Sequence, residues 1–258
     1  MGKKQKKELK KIHYWKNHGL NNHIEKGSLY FTMINTSITS GELKKYIETQ
    51  IIHLMPDEIY KNGMIKDTDI QLALDKCENC FKHVKNGAYS DENGNSFFSH
   101  LHADQYAMLL EFLANHIWKE RSDKIVCDHI MYLNRTLHSF MMSYKCHLPD
   151  IWLIGHPVGA VIGNAEYSDY LYISQNCTIN TGPIDEDGTC TPKIGKYFAM
   201  GAGAVLIGDK PIGDNCSIGA GAMLYNTALE DNSIVINNCG TMEIRKSKGI
   251  SLAQKLFR

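Results

Sequence analysis

The chain has 258 residues, 43% hydrophobic and 22% charged, with 28 basic against 28 acidic side chains. That size suits one large or two smaller globular units, and a formal charge of zero argues against nucleic-acid binding driven by bulk charge. No apolar run approaches the roughly 20 residues that span a bilayer, and the start lacks the apolar centre of a signal peptide, so neither a membrane nor a nucleic acid is expected as a partner.

The first segment carries Lys3, Lys4, Lys6, Lys7, Lys10 and Lys11, which read as a solvated face. GSLYFTMINTSI (27–38) fits either a short strand or an irregular link. GELKKYIETQIIHLM then places Leu43, Ile47, Ile51 and Leu54 on one helical face. TDIQLALDKCENCFKHV predicts a second helix, capped by its Thr or Asp, with Ile70, Leu74 and Cys77 inside. Its CENC has redox-motif spacing without the strand–turn context of one, so Cys77 and Cys80 are read as packing. NGAYSDENGNSFF (86–98) is a loop by composition. ADQYAMLLEFLANHIW and KIVCDHIMYLNRTLHSFMMSY read as helices buried on more than one side, the last ended by Pro149. The eight cysteines fit reduced thiols in the cytoplasm.

Beyond CHLPD the pattern changes. Ile194, Met200, Leu206, Ile212, Ile218 and Leu224 recur every six residues, with Gly195, Gly201, Gly213 and Gly219 following. A six-residue period fits neither an α-helix nor a flat strand. It fits a parallel β-helix, where each unit gives a short strand and a turn and three units make a triangular coil. The apolar residue points inward, and glycine is expected to permit the turn conformation. Ala204, Cys216, Ala222 and Ala228 are expected to fill the corners. The register extends back through Ile179, Ile173 and Ile162, and NTGPIDEDGTCTPK interrupts it as a loop. The expected fold class is α+β: a helical part over 1–148, a β-helix over 149–240 and a helical tail over 241–258.

IGHPVGAVIGNAEYSDYLYISQNCTIN and PKIGKYFAMGAGAVLIGDKPIGDNCSIGAGAML resemble the hexapeptide-repeat acyltransferases. The resemblance is to the serine acetyltransferases and their relatives in surface-polysaccharide biosynthesis. It covers about residues 150–236 and implies a left-handed β-helix behind a helical domain. It also implies acetyl-CoA as co-substrate, no metal, and homotrimers with active sites between subunits, two of which pack through helical domains in serine acetyltransferases. The family histidine of D-H-A-T-G-x-V-I-G matches His156 in GHPVGAVIG, which implies a general base that takes the proton of an attacking hydroxyl.

Two departures bear on the acceptor. Gly155 replaces the motif's aspartate. Cys190 and Thr191 replace the arginine and second histidine of D-R-H-P-K-I, which in serine acetyltransferases help bind the amino acid. Without an arginine to pair with a carboxylate, a sugar hydroxyl fits the site better than serine. Serine, an amine acceptor and a non-catalytic scaffold remain open alternatives. Asp150, Gln175, Asp185 and Asp187 are candidates for binding the acceptor or orienting the base. Thr181, Ala202 and Ala220 match the coenzyme groove, and Arg245, Lys246 and Lys248 offer point charges to its phosphates. His100 and His102 are read as structural. His156 is the lone histidine of the coil region, which argues against a three-histidine zinc site.

Overall fold

The computed structural model describes residues 34–180 and 192–258. Within the segment 27–38, Asn35–Thr36 is strand β1, which pairs in parallel with β2 (Phe97–Phe98). Helix α1 (Ser40–Leu54) starts on a reciprocal cap: Glu42 N–H donates to Thr39 Oγ1 at 3.2 Å, and Thr39 N–H donates to the Glu42 carboxylate at 2.9 Å. Leu43, Ile47 and Ile51 are wholly buried, while Leu54, expected on the same face, is 43% exposed at the frayed end.

Helix α2 (Asp67–Phe81) is capped at Lys66, not at the Thr or Asp expected. Asp69 accepts the Lys66 backbone N–H at 2.8 Å and is gripped by both terminal nitrogens of Arg121. Burial, the largest single influence, opposes ionisation of Asp69, but the Arg121 guanidinium and the Lys66 N–H together outweigh it and hold the carboxyl below its ordinary range. Helix α3 (Ala103–Arg121) is buried on nearly every side, as its composition predicts. Helix α4 (Lys124–His138) is not: Ile125, Tyr132 and Leu137 are more than 40% exposed. It also ends earlier than expected. Ser139 takes a left-handed φ of 51° and stops it well before Pro149.

The chain then winds into coils whose strands form three faces. The first stacks β4 (Trp152–Gly155), β7 (Leu171–Ser174), β10 (Ala199–Met200), β12 (Ser217–Ile218) and β14 (Ser233–Asn238), all in parallel. The second stacks β3 (Met141–Met142), β5 (Val161–Ile162), β8 (Thr178–Ile179), β11 (Val205–Ile207) and β13 (Met223–Tyr225). The third joins β6 (Glu166–Tyr167) to β9 (Lys193–Ile194), continued by single bridges to Ile212 and Leu229. Because β3 already pairs with β5, the first coil begins ahead of residue 149.

Inside the prism Ile154, Ile173, Met200, Ile218 and Val235 stack in register, each at most 1% exposed. The six-residue period holds from Ile194 to Leu224 and then slips by one, since Leu229 takes the next inward place. That slip leaves Ala228 exposed where a corner residue was expected, whereas Ala204, Cys216 and Ala222 are buried. The glycines after the apolar positions have a different purpose from the one expected. None of Gly195, Gly201, Gly213 and Gly219 has positive φ. They permit coils to touch: a Cβ on Gly201 would lie 2.7 Å from Ala220 N. Left-handed turns fall elsewhere, at Asn176, Gly203 and Gly221 on one corner and at Tyr170, Tyr197, Asn215 and Asn232 on another.

The first coil is covered by the helical half, while at the far end only the first face gains a further strand. Helix α3 lies over the first coil, with Phe112 edge-on to Trp152 at 5.8 Å and Asn115 Nδ2 donating to the carbonyls of Tyr144 and Cys146 at 2.9 Å each. At the far end the tail expected to be helical is a strand, β15 (Thr241–Lys246), antiparallel to β14. Cys239 and Gly240, both at positive φ, make the tight turn between them. Helix appears only as α5 (Leu252–Leu256).

Candidate functional site

Strand β4 runs outward to Gly155, and His156 follows at the corner. Counted beyond Ser174, Gly201 and Gly219, which are level with Gly155 in the stack, later corners between the first and second faces take three residues: 175–177, 202–204 and 220–222. The His156 corner takes five, 156–160. The extra length lifts the histidine out of the wall. The base of the corner is fixed: Gly159 N–H donates to Ser139 O at 3.0 Å, Ala160 N–H to Pro157 O at 3.1 Å, and Asn176 N–H to Val158 O at 2.8 Å. His156 itself is exposed, with φ at 55°, a left-handed conformation that costs a residue with a Cβ about 1–2 kcal/mol. Its ring makes no hydrogen bond with the described residues.

Below it the structure aligns three of the expected residues. Gly155 pairs with Ser174, so Gln175 follows at the next corner down. Gly203 N–H donates to Gln175 O and Gly221 N–H to Ala202 O, both at 2.9 Å, which stacks Gln175, Ala202 and Ala220 along one edge of the prism. With Gly201, Gly203, Gly219 and Gly221 beside them, this edge is almost free of side-chain bulk. It offers backbone at close range to a thin, extended ligand.

Other expected residues are not brought to His156 within the chain. Asp150 stands before the near end of β4, about 20 Å of extended chain from the histidine, and its charge acts on Lys119 and Cys80 instead. Arg245 and Lys246 lie on β15, five strand spacings or about 24 Å away. Arg245 is paired with Glu243, and Lys246 holds Glu230 at 2.8 Å. Lys248 is exposed just beyond β15. Thr181, Asp185, Asp187, Cys190 and Thr191 lie outside the described residues.

His100 and His102 sit in the helical half. His100 Nδ1 is 2.8 Å from Ser37 Oγ, and burial lowers its pKa. His102 precedes α3 with its ring against Tyr89 at 5.6 Å. Cys77 and Cys80 are fully buried. Burial pushes the Cys80 thiol up to about 12, and its Sγ donates to Trp152 O at 2.8 Å, so neither is poised as a thiolate. Among the described residues, no three His, Cys, Asp or Glu side chains converge as metal ligands, and no helix is long and apolar enough to cross a membrane.

Two residues absent from the sequence reading stand against Gly155, the residue before the histidine. Tyr172 reaches across from β7 so that its hydroxyl lies 2.7 Å from where a Cβ on residue 155 would be. Ser174 Oγ donates to that hydroxyl at 3.1 Å. Only the register between coils reveals them. Ile154 opposite Ile173 puts Gly155 opposite Ser174.

No family model matches the chain. A serine acetyltransferase of Synechococcus elongatus is 28% identical over 130 residues, which are 50% of this chain. The chain thus spans about half, 52%, of that relative's length. Solved serine acetyltransferases align over far more of it. Those of Neisseria gonorrhoeae and Vibrio cholerae have TM-scores of 0.60 at 17% identity, covering 82% and 83% of this chain and the same shares of theirs. That of Brucella abortus, in complex with coenzyme A, scores 0.58 at 18% identity over 81% of this chain and 84% of its own. The chain therefore has the fold of these structures, a helical N-terminal part leading into a left-handed parallel β-helix, and resembles the hexapeptide-repeat acyltransferases.

Proposed function

We propose that the chain is an acetyl-CoA-dependent O-acetyltransferase with His156 as its general base. One observation carries the reading: an exposed imidazole, raised on an enlarged corner, stands at the head of a side-chain-poor edge. The pantetheine arm of the coenzyme would lie along Gln175, Ala202 and Ala220, which leaves its thioester near the histidine. Arg245 and Lys246 remain the basic residues proposed for the coenzyme's phosphates, although Lys246 faces Glu230 and Asp231 at another corner of the prism and both would have to exchange their carboxylate partners. Thr181 belongs to the same groove in this reading. The groove is completed by a neighbouring copy in a homotrimer, and the exposed apolar residues of α4 would let two trimers meet through their helical halves.

The chemistry follows from the base. His156 takes the acceptor hydroxyl proton as the oxygen attacks the thioester carbonyl carbon. The tetrahedral intermediate collapses by breaking its carbon–sulfur bond, and the imidazolium returns the proton to the leaving thiolate. Such a base contributes roughly 10²–10⁴-fold. The acceptor favoured is a sugar hydroxyl of a polysaccharide precursor, since an arginine for a carboxylate is missing from the motif. The identity of the Synechococcus relative supports serine as the second reading.

Thiol release from acetyl-CoA, measured against a panel of sugars and L-serine, tests the activity. His156→Ala should lower turnover by at least 10²-fold with coenzyme binding retained. Equal turnover by the variant would sink the assignment. Sedimentation of the full chain should give three times the monomer mass or a multiple of that.

A further inference from the structure

We infer that Tyr172 and Ser174 are the acceptor-recognising pair beside His156, and that they select an uncharged polyol hydroxyl over a zwitterionic amino acid. The inference rests on the reading of His156 as an acetyl-transfer base.

Alternation along β7 sends Leu171 and Ile173 into the prism and leaves Tyr172 and Ser174 on its outer side. Tyr172 then leans toward β4. A Cβ on residue 155 would meet its hydroxyl at 2.7 Å and its ring carbon Cε2 at 3.2 Å. The phenol therefore occupies the space that a side chain at 155 would need, and only glycine leaves it there. Where the resembled motif has an acid, this chain presents a neutral hydroxyl, one residue before the histidine.

The pair is prepared for hydrogen bonding. Ser174 donates to Tyr172 Oη, which is the only hydrogen bond of that hydroxyl among the described residues. The tyrosine O–H is left as a free donor, and the serine oxygen as an acceptor. Ser174 is only 7% exposed and Tyr172 is partly buried. Polar groups shielded in this way discriminate between ligands, because one that fails to match them leaves them unpaired.

The neighbours of the pair along the sheet carry no charge. Leu153 and Ala199 flank Tyr172, and Gly155 and Gly201 flank Ser174. An amino acid would bring an ammonium and a carboxylate to a place where these sheet neighbours offer no counter-charge, at a desolvation cost. Neighbouring hydroxyls of a sugar supply one acceptor and one donor, the complement of what the pair offers.

The test uses the full chain, acetyl-CoA, the methyl glycosides of glucose, galactose and mannose, and L-serine. At least one glycoside should be turned over with a kcat/KM more than tenfold above that for L-serine. Tyr172→Phe should raise the KM for that glycoside about tenfold or more, leave the KM for acetyl-CoA unchanged and leave thermal stability unchanged. Ser174→Ala should act in the same direction. Gly155→Asp, which displaces the phenol, should abolish the preference. A preference for L-serine overturns the inference. So does an unchanged glycoside KM in Tyr172→Phe, or turnover of no probe by a chain that binds coenzyme A. Failure to bind coenzyme A, or full activity in His156→Ala, would instead defeat the underlying reading of the base.

Discussion

A histidine held at φ 55° is a local expense that the fold does not require. The left-handed position that Asn176, Gly203 and Gly221 fill on later corners is filled here by Gly159, at φ 73°, so the strain at His156 is additional. His156→Gly should therefore relieve about 1 kcal/mol of backbone strain while removing the base. The expected result is a melting temperature equal to or above that of the parent, together with lost thiol release. A second residue carries strain of another kind. Glu111 is 2% exposed within α3, its Oε1 has no hydrogen-bond partner, and burial pushes its carboxyl up from 4.5 to about 8. Below pH 4.5 both folded and unfolded chains hold its proton. Between 4.5 and about 8 only the unfolded chain releases it, so stability falls as pH rises through that window. By pH 7 the loss amounts to about 3 kcal/mol. Glu111→Gln should flatten this slope and raise the urea midpoint at pH 7.5 more than at pH 4.5; parallel pH curves for both proteins would refute it. At this scale His156 was legible because its motif is contiguous. Asp150 misled because six residues of separation look close, yet they are spent on an extended strand. Tyr172 was invisible because it meets Gly155 only through the stacking of coils.

Among the secondary elements, the glycines separate two physical roles that the sequence merges. Gly201 lies where coils touch, and Gly41 lies in the first turn of α1, where a Cβ would find nothing within 4 Å. Gly201→Ala should destabilise by about 1–3 kcal/mol, because the methyl meets backbone that cannot swing aside. Gly41→Ala should stabilise by about 0.5–1 kcal/mol through helix propensity. Opposite shifts in chemical denaturation would support this division, and equal shifts would refute it. The coils themselves were legible because their period is local and each unit repeats the same inward residue. The slip at Leu229 was not, since a missing residue in one turn leaves every neighbouring strand intact. Strand β15 did leave a trace: Met242 and Ile244 alternate with Glu243 and Arg245, the period of a strand. Its basic residues drew attention to charge instead. The early stop of α4 had no comparable signal, because an apolar run through Phe140, Met141 and Met142 continues past Ser139 into β3.

For the whole molecule, the decisive feature is how the last residues rejoin the first half. After β15 the chain returns to the end of α2. Lys85 N–H donates to Leu256 O at 2.8 Å, Arg258 N–H donates to His83 O at 2.7 Å, and Phe257 forms a bridge with Val84. The Phe257 ring is 2% exposed and meets Tyr170 edge-on at 5.7 Å, while Tyr170 stacks flat on Tyr197 at 4.3 Å. One aromatic group thereby touches the helical half and two successive coils. Such a clasp binds elements that are distant in sequence, so its loss should uncouple them rather than unravel either. Phe257→Ala should cost about 3–5 kcal/mol, the usual range for a buried aromatic ring. Hydrogen exchange gives the sharper reading. Protection should fall first at Val84, Lys85 and Tyr170, while the amides of β10 and β12, deep in the stack, keep theirs. If protection falls evenly along every coil, the clasp is no separate unit and the prism unfolds as one body with its tail.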